Sequence, residues 1–165
     1  MEFYSTERLI IRNVDEKDVP IIHDYRNNEI CAHYQRGQVK TLKEINDLVE
    51  RRKRDVISVN ADFMLAVALK ASDELVGEIM VMPNDGCISL GYTFSYQHHR
   101  KGYAFEALSM LIEKLHAAYP DWEFISFTEP QNQASIALLE KLGYTHLSYS
   151  EKLDSEVYGK WVKEI

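Results

Sequence analysis

Cysteine is scarce in this sequence: Cys31 and Cys87 are the two present among 165 residues. They stand far apart without a C-x-x-C spacing. That excludes a zinc ribbon or a disulfide-stapled scaffold and fits a chain whose thiols stay reduced in the cytoplasm. Glycine and proline are also few, seven and four, and they gather into no linker. One domain over residues 1–165 is expected, long enough for one substantial core. No stretch approaches the roughly 20 consecutive apolar residues of a membrane span. The opening MEFYSTERLIIR lacks the basic region and apolar run of a secretory signal. A basic excess is missing too: 19 Lys and Arg face 26 Asp and Glu, a net charge of −7. That argues against nucleic acid as a partner and is compatible with a cationic small substrate. His98 and His99 are adjacent, but no further ligand has suitable spacing, so no metal site is expected.

What is present is a pattern of short strands and amphipathic helices. A strand is expected from Arg8 to Asn13, then a helix carrying Val19, Ile22 and Tyr25 on one face, with Pro20 in its first turn. Thr41 and Glu44 form a T-x-x-E capping box before Leu42, Ile45, Leu48 and Val49. The basic run Arg51 to Arg54 reads as the solvated end of that helix. Strands follow at Phe63 to Leu69, Leu75 to Met82 and Cys87 to Phe94, with a turn at Pro83-Asn84-Asp85-Gly86. A helix from Gly102 to Ala118 should bury Ala104, Ala107, Leu108, Leu111, Ile112 and Leu115. After a strand at Glu123 to Thr128 comes a helix from Ala134 to Leu142, with Gly143 as its C′ residue. Strands at Tyr144 to Ser150 and Val157 to Lys163 would close the chain as a hairpin. This order gives a mixed α/β sheet with helices against it rather than an alternating parallel fold.

The chemically informative stretch is Tyr92 to Leu108, YTFSYQHHRKGYAFEAL. A strand ends, a loop follows, and a helix opens near Gly102. Helix N-termini present unpaired amides and a positive dipole end, which suits phosphate. Gly102 permits close backbone approach, Ala104 keeps the surface small, and Arg100 and Lys101 add positive charge.

In that setting, H-H-R-K-G-Y-A-F-E-A-L resembles the acetyl-CoA motif of the GNAT superfamily of N-acetyltransferases, usually Q/R-x-x-G-x-G/A followed by Glu-Ala. A second segment, Asn132 to Tyr144 (NQASIALLEKLGY), is similar to the family's N-x-x-S-x-x-L-L-E-K-L-G-F form. The opening Thr6-Glu7-Arg8-Leu9-Ile10-Ile11-Arg12 resembles the start of the branch containing RimJ/RimL-type ribosomal-protein N-terminal acetyltransferases. His99 and Arg100 depart from the usual Gln/Arg and Gly. The resemblance implies a GNAT-like, mostly antiparallel sheet of six to seven strands with about four helices. It implies acetyl transfer from acetyl-CoA, without a metal, to a primary amine of a small molecule or a peptide N-terminus. A non-catalytic CoA-binding module on the same fold is the alternative. A monomer and a homodimer are both compatible with such a fold.

By the same resemblance, the backbone of Tyr92, Thr93 and Phe94 would pair with the pantetheine arm. The amides of Arg100, Lys101, Gly102, Tyr103 and Ala104 would hold the pyrophosphate, and Asn132 would bind the cofactor arm. Many relatives carry an acidic tyrosine where Leu139 stands here, so Ser135, the serine of the RimJ/RimL-like branch, is the candidate to serve the leaving thiolate. Relatives also place a Glu where Ser89 stands. Glu78 and Glu151 are the remaining candidates for a base acting through water. Residues Asn28 to Lys40, with His33 and Tyr34, occupy the region that lines the acceptor groove in such folds.

Overall fold

The structure is a computed structural model that describes residues 1–163. Glu164 and Ile165, the end of the expected 1–165 domain, lie outside the described residues. Eight strands form one sheet: β1 (Glu2–Ser5), β2 (Leu9–Arg12), β3 (Phe63–Leu69), β4 (Leu75–Asn84), β5 (Cys87–Phe94), β6 (Glu123–Thr128), β7 (Thr145–Ser150) and β8 (Ser155–Lys160). Their spatial order is β1-β2-β3-β4-β5-β6-β8-β7. Every neighbouring pair is antiparallel except β5 and β6. The helices are α1 (Val19–Arg26), the single turn α2 (Glu29–Ala32), α3 (Leu42–Arg52), α4 (Tyr103–Ala118) and α5 (Gln133–Lys141).

The mixed α/β expectation holds, with one strand more than expected. The extra strand is β1, four residues at the sheet edge that pair with β2. EFYS is too short for an alternating pattern to show. The turn after β4 also differs. Asp85 and Gly86 both have positive φ, 49° and 82°, so the connection is a two-residue hairpin of the primed type. Pro83 remains inside β4 because β3 begins at Phe63 opposite Val81, and beyond that point the missing Pro N–H has no strand to serve.

The core lies on both faces of the sheet, which explains the unbroken apolar run FMLAVAL in β3. Phe63, Leu65 and Val67 point to the face covered by α4 and α5, where Leu108, Leu111, Ile112, Leu115 and Leu139 are buried. Met64 and Ala66 point to the other face, against Val19, Ile22, Ile45 and Val49 of α1 and α3. The Thr41–Glu44 capping box forms at the start of α3 as its spacing predicts. Gly77 admits Phe94 at close range: a Cβ there would meet the Phe94 ring at 2.7 Å.

One buried cation ties the corner formed by β2, the turn before α1 and the β3–β4 turn. Arg12, 8% exposed, gives two nitrogens to Asp18 at 2.8 and 2.9 Å and its Nε to Asp73 at 2.8 Å. Burial alone would lower the Arg12 pKa, but its hydrogen bonds and charge pairing with Asp18 and Asp73 raise it. Truncation would leave the Asp18 carboxylate buried without its counter-ion. We expect Arg12→Ala to lower the unfolding free energy in urea by about 3–5 kcal/mol. A loss under about 1 kcal/mol would contradict this account of the corner.

Candidate active site

β5 and β6 are paired only at Cys87–Glu123 and Ile88–Phe124. Beyond Ile88 the strands separate. β5 stays bound to β4 along its whole length, while β6 stays bound to β8. The β6-facing edge of β5 from Leu90 to Phe94 therefore has no strand partner. Side chains reach parts of it: Gln35 Nε2 donates to the Tyr92 carbonyl at 3.1 Å, and His99 Nε2 lies 2.8 Å from the Phe94 carbonyl. Thr93 turns its side chain to the opposite face, where Gln38 Nε2 meets its Oγ1 at 2.8 Å.

The gap opens into a cleft of about 270 Å³ lined by Leu90, Tyr92, Ser126, Thr128, Asn132 and Ser135. Asn132 is the N-cap of α5, and its Oδ1 accepts from the Ser135 amide at 3.2 Å. The Asn132 Nδ2 group remains for another acceptor. Burial pushes the Tyr92 phenol pKa up, and the Ser135 hydroxyl beside it pulls the other way. Tyr144 is also pushed up by burial and by Tyr92. Leu139 lies in the core, 2% exposed, and offers no acid.

At the end of β5 the loop enters α4 through two left-handed residues, Arg100 (φ 65°) and Gly102 (φ 79°). The first position explains why glycine is common there in the resembling family: an L side chain in this conformation is strained. The N-cap is Gly102, with no side chain to satisfy the amides of the first turn. The 16-residue α4 thus begins with free N–H donors, a fitting cradle for an anion. Arg100, Lys101, Gly102, Tyr103 and Ala104 are brought together at this point. The sequence reading missed Arg8. Its guanidinium lies 4.6 Å from the Tyr103 ring centre, and one nitrogen sits 3.5 Å from where a Cβ on Gly102 would stand.

Arg8 is held by Glu106. Its Nε donates to Glu106 at 2.7 Å and its backbone N–H at 3.0 Å, while the Thr6 hydroxyl donates to the same carboxylate. The Thr6-Glu7-Arg8 opening and the Glu106-Ala107 continuation of the helix motif are therefore two halves of one contact. That pairing was the available signal for Arg8.

A second cleft, about 400 Å³, lies on the α1–α3 face of the same strands. Its floor is Met80, Met82 and Gly91, and its walls come from Gln35 to Val39 and from α3. Gly91 and Tyr92 line both clefts, so the two meet across β5. Glu78 belongs to this cleft but is fully engaged. Arg26 pairs with both its oxygens at 2.8 and 2.6 Å, and the Tyr25 hydroxyl donates to it at 2.9 Å. Burial alone would lower the Arg26 pKa, yet the Glu78 hydrogen bond and charge raise it. Tyr25 is pushed well up by burial and by Glu78. Glu151 lies exposed in the β7–β8 turn and lines neither cleft. Tyr34 lines the strand-gap cleft, and its hydroxyl donates to the Gln131 carbonyl at 3.1 Å. His33 is exposed, edge-on to Tyr34, and lines neither cleft. Among the described residues there is no cluster of His, Cys, Asp or Glu able to hold a metal ion, and no helix is long and apolar enough to cross a membrane.

The acetyltransferase (GNAT) domain family matches residues 8–145, well over half of the chain. Among individual relatives, Bacillus subtilis (strain 168) has a protein called uncharacterized N-acetyltransferase YnaD. It is 26% identical over 150 residues, covering 90% of this chain and 85% of that protein. A GNAT-family acetyltransferase structure from Bacillus anthracis superposes with a TM-score of 0.81 at 23% identity, covering 96% of each chain. RimL, a ribosomal L7/L12 alpha-N-protein acetyltransferase solved in complex with coenzyme A, superposes with a TM-score of 0.79 at 17% identity, covering 97% of each chain. Agreement at these identities is agreement of fold.

The Glu106 contact has a consequence for acid stability. Burial alone would raise the carboxyl pKa, but the Thr6 and Arg8 hydrogen bonds outweigh it and hold the group below its usual range. The unfolded value is about 4.3. The resulting stabilisation is fully present above that pH and disappears as pH falls through the lower folded value. Urea unfolding from pH 6 down to about 3 should show a shallower acid limb for Glu106→Gln than for the wild type. Identical limbs would show that this carboxylate is not linked to folding.

Proposed function

The chain belongs to the GNAT family of acetyltransferases, and from that premise we propose that it moves an acetyl group from acetyl-CoA to a primary amine by direct attack in a ternary complex. The observation that carries this reading is the pair of clefts that meet at Gly91 and Tyr92. One is bordered by a free strand edge and leads to an open helix N-terminus. The other reaches the same point from the opposite face.

In this reading the amides of Arg100 to Ala104 receive the pyrophosphate, with Arg8, Arg100 and Lys101 adding charge at its rim. The free edge of β5 at Tyr92 to Phe94 takes the pantetheine amides, which then compete with Gln35 for the Tyr92 carbonyl. Asn132 orients the arm through Nδ2. The acetyl carbon lies at the junction, where the amine nitrogen bonds to it as the carbon–sulfur bond breaks. The amine gives up one proton and the sulfur gains one. Ser135 donates its hydroxyl to the sulfur as negative charge collects there.

Among the described residues, no free carboxylate lines either cleft to serve the amine, since Glu129 is held by Arg36. Glu78 is committed to Arg26 and Tyr25, and Ser89 offers no carboxylate. The acceptor must therefore arrive neutral. A peptide N-terminal amine, with a pKa near 8, meets that demand far more readily than a lysine-like amine near 10.4. A peptide N-terminus fits best, and a free amino acid, whose carboxylate raises its amine pKa, lies between the two.

Thiol release from acetyl-CoA across a panel of peptides, amino acids and spermidine tests the reading. With the best acceptor, Ser135→Ala should lower kcat by roughly ten- to a thousandfold while changing the KM for acetyl-CoA little. Full kcat in a folded variant would remove Ser135 from the chemistry. The pH profile is a separate test. The rising limb of kcat/KM should follow the pKa of the acceptor and move down when an acceptor of lower pKa is used. A limb fixed in pH for every acceptor would reveal a dedicated base.

A further inference from the structure

We propose that the acceptor is a primary amine that also carries a carboxylate, and that Arg51 in the last turn of α3 receives that carboxylate. The proposal rests on the acetyl-transfer reading above and names the substrate class of the same site. It comes from the charge balance of the α1–α3 cleft. Four charged side chains line it: Arg26, Arg36, Arg51 and Glu78. Arg26 and Glu78 cancel as a buried pair, 6% and 5% exposed. Arg36 spends both Nε and one terminal nitrogen on Glu129, at 2.9 and 2.5 Å, and its other nitrogen on the Leu153 carbonyl at 2.9 Å. Arg51 has no ion pair or hydrogen bond among the described residues. One uncompensated positive charge therefore stands in the cleft of a protein whose net charge is −7.

The rest of the lining is apolar or neutral. Met80, Met82, Val39 and Leu48 give it an apolar body, and Gln35, Gln38 and Thr93 line it beside the meeting point with the other cleft. No free carboxylate lines the cleft to receive a polycation. A guanidinium beside apolar walls is instead a good host for a carboxylate, since it donates two parallel hydrogen bonds and is weakly hydrated. A volume of about 400 Å³ is at the small end of ligand sites. Amine and carboxylate must then belong to one small molecule or to the first residues of a peptide. With the α-amino group at Gly91 and Tyr92, the carboxylate extends toward α3 and the side chain lies over the two methionines.

The test compares acceptors that differ in the anion. Each kcat/KM is divided by the fraction of amine that is neutral at the assay pH, because the carboxylate of L-methionine raises its amine pKa above that of L-methioninamide. L-methionine is paired with L-methioninamide to represent a free amino acid. An N-terminal Met-Asp peptide is paired with its Met-Asn counterpart to represent a peptide source. Spermidine is the cationic control. The wild type should favour one carboxylate over its amide by at least about tenfold in kcat/KM. That preference should shrink with added salt. The pair that shows it identifies the source. In Arg51→Gln the preference should collapse toward one because the KM for the carboxylate rises. In Arg51→Glu it should reverse in favour of spermidine. Unchanged melting temperatures in both variants separate this from damage to α3. Equal use of carboxylate and amide by the wild type overturns the proposal, as does a preference that survives in both variants. Turnover of spermidine in place of every carboxylate sinks the carboxylate proposal and leaves amine acetylation standing. Absence of thiol release with any amine removes both.

Discussion

The structure depends on a failure of two strands to pair. β5 and β6 meet for two residues and then part. Each is bound along its other edge, β5 by β4 and β6 by β8, so the opening lies between two paired ribbons of the sheet. Unpaired backbone in a sheet interior is normally costly. Here it is partly satisfied by Gln35 and His99, which reach the Tyr92 and Phe94 carbonyls from outside the sheet. The gap is thus a prepared opening, with hydrogen-bonding groups that an extended ligand can use. It also positions everything else: α4 starts where β5 ends, α5 starts where β6 ends, and the two clefts meet where the gap begins to widen.

Charge is distributed in the same selective way. A net charge of −7 suggests a cationic partner, but net charge describes the whole surface and not one cleft. The acids that border the functional region are occupied: Glu78 by Arg26 and Tyr25, Glu129 by Arg36, Glu106 by Arg8 and Thr6. Each of these contacts also has a mechanical effect. Glu106 fixes the N-terminal segment against the start of α4. Glu78 fixes α1 to β4 beside the α1–α3 cleft. The carboxylates hold the frame, and the proposed chemistry falls to amides, hydroxyls and arginines.

Much of this was legible in the sequence where the signal is local. The Thr41–Glu44 box, the apolar stripe of α4 and the Gly143 cap all depend on neighbours a few residues away. The helix start at Gly102 was legible for the same reason, since a helix N-terminus is a local object. Non-local facts were not readable. Nothing in Cys87 to Phe94 or Glu123 to Thr128 reveals that their pairing stops after two residues. Glu78 looked available as a base because Tyr25 and Arg26 lie more than fifty residues away. Arg51 was read as part of a solvated helix end, which its exposure supports. Its place in a cleft depends on strands far along the chain. Arg100 as a left-handed residue is the intermediate case: the family pattern with glycine hinted at it, and the φ of 65° shows it.

The central claim is that the gap between β5 and β6, together with the open start of α4, forms one binding surface for coenzyme A. Amide hydrogen exchange with and without coenzyme A tests it directly, because the groups involved are backbone N–H donors. The account predicts added protection concentrated in Leu90 to Phe94 and in Arg100 to Phe105, with a weaker effect at the start of α5. Binding that leaves both segments exchanging as in the free protein would contradict it.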